Sequence, residues 1–320
     1  MAESKTAIMA ALLGNGALAV LKGVAAASTG SAAMLAETLH SIADTGNQAL
    51  LFLGMRVSKY PPDRRHLFGY GKAVYFWAFV VSVMLFSLGG AFSIWEGVRK
   101  LLHGGEHEGA VGWAYAVLGG GFVFEVISLG IALRALDKAK GGKTLRAYWR
   151  DNRDPTLPTV VLEDTAALIS LAIAAAGIWL TQTTASPVWD ALASGLIGLM
   201  LVGVAIVLAL ENYSLLIGEA APEGVEATIR RLVSGDDDVV EVVDLRTMHI
   251  GPHDILVALG IQFRPDLTTL RIQAAITRLQ QAIRKALGES TNPGLIIIEP
   301  AAPDGDAFGK STSPRSRAVR

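Results

Sequence analysis

Six apolar runs in the sequence are each long enough to cross a lipid bilayer. They lie at roughly residues 6–28, 32–55, 73–98, 110–133, 157–181 and 188–211. The hydrocarbon core of a bilayer is about 30 Å thick, and about 20 helical residues span it. The composition agrees, since 51% of the residues are hydrophobic, 18% are charged and the mean hydropathy is +0.42. We therefore expect an α-helical membrane protein with six transmembrane helices rather than a soluble globular protein.

The first run has one feature of a cleaved signal peptide. Residues Ala25 to Ala27 resemble a small-residue cleavage site, but Lys22 interrupts the apolar core and the hydrophobic pattern then resumes at once. A signal peptide has an uninterrupted apolar segment before its cleavage site. The sequence therefore predicts that this run is retained as the first helix.

Lysine and arginine are unevenly distributed among the loops between the runs. The loop after the second run has five of them between Arg56 and Lys72, and the loop after the fourth has seven between Arg134 and Arg153. The other three loops have none, or only Arg99 and Lys100 at one edge. Because basic loops remain on the cytoplasmic side, we expect both termini in the cytoplasm and the protein in the inner (cytoplasmic) membrane of a cell.

The composition changes after Glu211, and a second domain is predicted from about Ala221. Strand-like alternation around the turn "GPHD" and a helical stripe between Leu267 and Leu287 give the order α-β-β-α-β. The predicted organisation is a transmembrane domain at 1–215, a cytoplasmic α+β domain at 221–300 and a disordered tail at 301–320. The tail has too little apolar surface to fold.

Three ionisable residues interrupt the second apolar run. Glu37, His40 and Asp44 are spaced so that a helix places them on one face. One interpretation is a structural hydrogen-bonded patch between helices. Ionisable groups at bilayer depth cost roughly 2.5–3.5 kcal/mol each on insertion scales and commonly mark an ion or proton path. We favour an ion path over a structural patch, because an imidazole and a carboxylate on adjacent turns suit a divalent ion such as Zn²⁺.

Further ligands must come from other helices, because tetrahedral zinc takes four. The sequence has no cysteine, which leaves histidine and oxygen donors. Glu163 and Asp164 begin the fifth run, and Glu125 lies within the fourth. Alternative roles remain for them, namely a carboxylate near a helix N-terminus for the pair and a hydrogen bond between helices for Glu125.

Taken together, "AETLHSIAD" on the second helix, "HLFGYGK" in the following basic loop, the acidic start of the fifth helix and the C-terminal domain resemble the cation diffusion facilitator family over about residues 5–300. The stretches "LEDTAALISL" and "ENYSLLIGEAA" are most similar to the branch that includes the mitochondrial zinc-transporter member. The resemblance implies a homodimer that exports Zn²⁺, or Mn²⁺, Fe²⁺ or Co²⁺, from the cytoplasm in exchange for protons. Apart from the resemblance, the sequence has no basic face for a nucleic-acid partner. With only six histidines, no HExxH motif and no cysteine, we expect no enzymatic activity and no organic cofactor.

The resemblance also implies a set of metal ligands, with one departure from the family pattern. His40 and Asp44 match the ligands of the second helix. The family form on the fifth helix is His-x-x-x-Asp, but aligning Asp164 with the aspartate puts Val160 at the histidine position, and aligning Glu163 with the histidine puts Ala167 at the aspartate position. One common ligand is missing either way, and Glu163 and Glu125 are the candidates to fill the gap. We predict that Asp164 is a ligand and that Glu163 orients it or carries protons, with Glu37 and Glu125 as further candidates. A more oxygen-rich site loosens selectivity for zinc.

Two weaker sites follow from the same resemblance. Asp63 and His66 match a metal site in the loop after the second helix, but Tyr70 stands where some members have histidine. In the C-terminal domain, His249 and His253 flank a turn and are candidates for a regulatory zinc site.

The alternatives to a transporter are a membrane metalloenzyme, a channel and a metal sensor that moves no ions.

Overall fold

The computed structural model describes residues 2–104, 111–142, 144–145, 147–148, 153–288 and 292–302, without the side chains of 2–13 and 111. The tail predicted to be disordered lies outside the described residues from position 303 onward. The chain divides into two compact units, Met1–Leu216 and Ile217–Arg320. Each unit has its own hydrophobic core.

Long helices make up the first unit. They are α1 (Ala2–Thr29), α2 (Ala32–Val57), α3 (Ala73–His103), α4 (Val111–Lys140), α5 (Thr156–Thr184) and α6 (Val188–Ile217). At 1.5 Å per residue, each is longer than the bilayer core of about 30 Å. Four of them, α3 to α6, are also apolar enough to be candidate membrane spans. The predicted helical fold is confirmed, while membrane crossing by α1 and α2 stays a prediction.

Helix α2 begins directly after a tight turn from α1. Gly30 has a φ of +63°, which glycine adopts without steric cost. The Ser31 hydroxyl then accepts a hydrogen bond from the Met34 backbone N–H at 3.1 Å, which caps the helix. Helix α2 packs against α1, α3 and α5, so its polar face lies inside the bundle.

Helices α3 and α6 approach each other backbone to backbone. A Cβ placed on Gly97 would lie 2.7 Å from the Ala191 carbonyl oxygen, and one on Gly198 would lie 2.8 Å from the Gly90 carbonyl oxygen. Small residues permit this kind of close contact between membrane helices. Helix α3 also contains a π-helical segment, Leu85–Ala91. The glycines of the two helices therefore set the distance between them.

The second unit is a small α+β fold. Its elements are α7 (Glu223–Ser234), β1 (Val239–His249), β2 (Asp254–Phe263), α8 (Thr269–Leu287) and β3 (Asn292–Pro300). The sheet has the order β1-β2-β3, with β1 antiparallel and β3 parallel to the central β2. Because a parallel pair needs a crossover connection, α8 links β2 to β3. This is the α-β-β-α-β order that the sequence predicts.

The core of the second unit forms between β2 and α8. Val257 and Leu259 on β2 and Leu279 and Ile283 on α8 are among its buried apolar residues. On β3, Ile296 and Ile298 are buried, whereas Leu295 and Ile297 are 36% and 44% exposed. Successive strand residues point to opposite faces. One face of β3 therefore packs on the core and the other presents apolar side chains.

Candidate metal site within the helix bundle

His40 and Asp44 lie one helical turn apart on the buried face of α2. His40 is fully buried, and its Nε2 lies 3.5 Å from the Asp44 Oδ2 atom. Neither ring nitrogen of His40 makes a hydrogen bond within the described part of the chain. Buried polar atoms nearly always have a partner. An imidazole with a lone pair to share, next to a carboxylate, has the donor chemistry that suits Zn²⁺.

The two acids of α5 are held by side chains from different helices. Asn47 on α2 donates from Nδ2 to Glu163 Oε1 at 2.7 Å, and Ser128 on α4 donates from Oγ to Asp164 Oδ2 at 2.8 Å. Both acids are buried. The sequence gives no local signal for either donor, because each pairing depends on how separate helices pack.

Carboxylates from α4 and α5 lie near Asp44 of α2. Glu125 on α4 is buried, and the Asp44 side chain interacts electrostatically with Glu163, Glu125 and Asp164. Among the residues that the structure describes, no group of three or more His, Asp and Glu side chains has the geometry to hold a metal ion. In this conformation the predicted ligands are therefore neighbours and not an assembled coordination sphere.

Glu37 has a different environment from the other acids. Its Oε2 atom lies 2.8 Å from the Lys22 ammonium nitrogen on α1, and both side chains are fully buried. Lys22 also donates to the Ser41 hydroxyl at 2.8 Å. Sequence reasoning treats Lys22 only as a break in an apolar run. A lysine inside one membrane-length run and a glutamate inside the next is the signal that could have indicated the pair.

A second buried ionic cluster lies at the N-terminal end of α2. The Asp190 carboxylate on α6 accepts hydrogen bonds from the Ser31 hydroxyl, from the Ala32 N–H at 2.6 Å and from the Lys100 ammonium at 2.8 Å. Lys100 on α3 also donates to the Gly30 carbonyl at 2.7 Å. This cluster, absent from the sequence-based hypotheses, joins α3 and α6 to the start of the helix that carries His40.

Comparison with known proteins places the chain in a family. Residues 8–217 match the cation efflux transmembrane domain. The chain belongs to the cation efflux, or cation diffusion facilitator, family. His40, Asp44, Glu125, Glu163 and Asp164 all lie within the matched region of this multi-pass membrane transporter family. The expectation of a transporter rather than an enzyme is confirmed at the level of the family.

The relatives of this cation efflux protein include proteins from animals and from a plant. It is 34% identical over 247 residues to the mouse "Proton-coupled zinc antiporter SLC30A9, mitochondrial", which covers 76% of this chain and 43% of the mouse protein. It is 34% identical over 268 residues to the Arabidopsis thaliana "Metal tolerance protein C4", covering 83% of this chain and 58% of the plant protein. The chain thus spans about half the length of these curated relatives.

In this family member, the loop after α2 forms a compact turn around Asp63. The Asp63 carboxylate accepts hydrogen bonds from the Tyr70 hydroxyl at 2.7 Å and from the backbone N–H groups of His66 at 2.6 Å and Arg65 at 2.8 Å. These bonds, the one from Tyr70 first, lower the pKa of Asp63 to about 2. The Asp63 carboxylate of the predicted loop site therefore stabilises the conformation of the loop through its hydrogen bonds.

The two histidines of the second unit lie at the β1–β2 turn. His249 is buried at the end of β1, with its Nδ1 atom 3.3 Å from the Gly251 carbonyl oxygen. His253 follows in the turn before β2. A regulatory zinc site at these residues stays a prediction.

Proposed function

We propose that this protein exports a divalent metal cation, Zn²⁺ in the first place, from the cytoplasm in exchange for protons. The observation that carries the proposal is His40, which is fully buried beside Asp44 and has no hydrogen bond at either ring nitrogen within the described residues. The family and the zinc antiporter among the relatives support the choice of cargo.

The proposed ligands come from facing helices. His40 and Asp44 on α2 and Asp164 on α5 bind the ion, while Glu163 orients the site or carries protons. Glu125 on α4 is available to complete the coordination. The contact between α2 and α5 supports this grouping, as does the electrostatic interaction of Asp44 with all three acids.

Proton exchange follows from competition at the ligand atoms. Imidazole and carboxylate groups bind metal only when deprotonated, so protons and metal exclude each other. A site facing outward accepts protons and releases the ion, and a site facing inward loses protons and reloads. Alternating access by rocking of helices around a midplane site connects the two states.

We further propose that the protein lies in the inner (cytoplasmic) membrane with both termini in the cytoplasm, as a homodimer. The basic loops support the orientation, and the apolar face of β3 that carries Leu295 and Ile297 supports pairing of two copies. Protease access to a terminal tag from outside the cell would contradict the orientation. Sedimentation of the purified protein at the mass of one chain would contradict the dimer.

The carboxylates around Asp44 support a second candidate cargo. Mn²⁺ accepts oxygen-rich coordination more readily than Zn²⁺ does, and the described interior around Asp44 contains more carboxylates than histidines. Efflux of Mn²⁺, Fe²⁺ or Co²⁺ by the same fold is therefore the alternative. A non-transporting metal sensor is the alternative function that the transport experiment distinguishes.

Metal uptake into proteoliposomes tests the proposal. With wild-type protein and an imposed pH gradient, we expect saturable Zn²⁺ flux that increases when protons move in the opposite direction. His40→Ala should reduce the flux by more than the about 10–100-fold that loss of a supporting group costs. The matched control is His103→Ala, because His103 is exposed at the end of α3.

The outcomes separate the alternatives. Near-normal flux in His40→Ala would contradict the assignment of the ligand. Binding of Zn²⁺ to the wild type without any flux would indicate a sensor. A larger flux of Mn²⁺, Fe²⁺ or Co²⁺ than of Zn²⁺ would identify the other cargo.

A further inference from the structure

The Lys22–Glu37 pair is a buried ionic contact next to the proposed metal site. The ammonium nitrogen of Lys22 lies 2.8 Å from Glu37 Oε2 and 2.8 Å from the Ser41 hydroxyl oxygen. Space for the lysine comes from Gly121 on α4, where an added Cβ would lie 3.4 Å from Lys22 Cε. The lysine is therefore enclosed by α1, α2 and α4.

Glu37 lies close to the proposed ligands. It precedes His40 by three residues on the same face of α2, and the two side chains interact electrostatically. Its second oxygen, Oε1, makes no hydrogen bond within the described residues. Without Lys22, this carboxylate would be an additional oxygen donor beside His40 and Asp44.

The number of oxygen donors influences which metal a site prefers. Zn²⁺ is bound in four-coordinate sites that combine imidazole with few oxygens. Mn²⁺ prefers carboxylate, carbonyl and water oxygens in a larger coordination sphere. A lysine that occupies one carboxylate lowers the number of oxygens that the site can offer.

We propose that Lys22 is a specificity-determining residue that holds Glu37 out of the metal ligands and so favours Zn²⁺ over Mn²⁺. The inference rests on the proposed function, because it assumes that His40 and Asp44 bind the ion. It assigns Glu37 a role opposite to that of a ligand in the wild-type protein. Lys22 also interacts electrostatically with His40 and Asp44, but its charge acts alike on two divalent ions, so the ratio of the two affinities reports the release of Glu37.

Metal affinities measured by calorimetry in detergent test this inference. We compare Zn²⁺ and Mn²⁺ for the wild type, Lys22→Met, Glu37→Gln and the double variant Lys22→Met/Glu37→Gln. Lys22→Met releases Glu37, and it should raise the affinity for Mn²⁺ relative to Zn²⁺ by about tenfold or more, the scale on which one carboxylate near a metal changes affinity. The double variant releases no carboxylate and should return the ratio to the wild-type value.

Two further measurements keep the test decisive. Thermal unfolding and gel filtration report whether each variant is folded. Lys22→Leu, which likewise cannot donate to Glu37, replaces Lys22→Met if the latter does not fold. An unchanged ratio in the folded lysine variant, or a changed ratio that persists in the double variant, would overturn the inference. If wild-type protein shows no His40-dependent Zn²⁺ binding, the proposed function fails instead.

Discussion

Glu163 and Asp164 are adjacent in sequence but are held by different helices. Successive residues of a helix point about 100° apart, so Glu163 reaches Asn47 on α2 while Asp164 reaches Ser128 on α4. The amide and the hydroxyl each donate to one carboxylate oxygen and leave the other oxygen available. Because the two side chains point in different directions, we expect Asp164 to bind the metal and Glu163 to orient the site or carry protons.

Substitution of these two acids should have effects that differ in kind. Asp164→Asn should bind little metal in calorimetry, because it removes a proposed ligand. Glu163→Gln should still bind Zn²⁺, with an affinity lower by about 10–100-fold or with an altered pH dependence, because it removes a supporting carboxylate. Asn47→Ala should resemble Glu163→Gln, since it releases the same side chain. If Glu163→Gln abolishes binding and Asp164→Asn is mild, the site must be redrawn around Glu163.

The sequence predicts the local part of the site and not its partners. The i, i+4 spacing of His40 and Asp44 needs only a helix, and the structure places both on the buried face of α2. Lys22, Asn47 and Ser128 were not predicted as partners, because each contacts a residue of another helix. Such contacts depend on how helices pack, and a periodic pattern within one helix carries no information about that.

At the level of elements, α2 is anchored at its N-terminus by α6 and α3. The first backbone N–H groups of a helix lack partners within the helix and favour a negative charge. The Asp190 carboxylate accepts from two of them, at Ala32 and Ala33, and pairs with Lys100. The helix that carries His40 therefore starts from a fixed position.

Removing one partner of this buried pair should destabilise the bundle. Asp190→Asn leaves the Lys100 ammonium buried without its counter-ion, and breaking such a pair costs about 3–5 kcal/mol. Thermal unfolding in detergent, followed by tryptophan fluorescence, measures the loss. The matched control is Asp137→Asn, which removes an exposed ion pair with Lys140 worth about 0–1 kcal/mol. Equal unfolding temperatures for the two variants would contradict a structural role for Asp190.

Element boundaries follow closely from the sequence, whereas irregular features do not. The third apolar run was predicted at about 73–98, and α3 extends over Ala73–His103 with the π-helical segment Leu85–Ala91 inside it. Hydropathy reports that a segment is apolar but not which hydrogen-bond pattern it adopts. The parallel pairing of β3 with β2 was likewise not predicted, because strand partners are distant in sequence.

At the level of the whole molecule, the chain consists of two units with separate cores. In the second unit, Arg278 on α8 joins the segment before β1 through Asp236, at 2.7 Å, and Asp238, at 3.0 Å. The hydrogen bonds from Arg278 lower the pKa of both carboxyl groups. These ion pairs connect the helix to the sheet at one edge of the unit.

We expect residues 217–302 to fold alone and to lose stability in acid. A carboxyl group whose pKa is lowered by folding stabilises the fold above its unfolded pKa of about 3.9, and this contribution is lost as the pH falls below that value and through the lower pKa of the folded state. Urea unfolding at several pH values, followed by circular dichroism, measures the free energy of unfolding. Arg278→Met should flatten this acid dependence, with Arg231→Met, at an exposed position on α7, as the control. A fragment without cooperative unfolding would contradict the prediction, as would an unchanged acid dependence in Arg278→Met.

The close glycine contacts between α3 and α6 have a mechanical consequence. No layer of side chains separates the two backbones at Gly97 and Gly198. Because a change of rotamer cannot make room there, we expect α3 and α6 to move together as one rigid pair. Glycines of α1 and α4 face the flexible ends of side chains instead, as Gly14 faces Phe124 and Gly121 faces Lys22. A flexible side chain can shift where a backbone cannot, so the contact of α4 with Lys22 can adjust while the spacing of α3 and α6 at these glycines stays fixed.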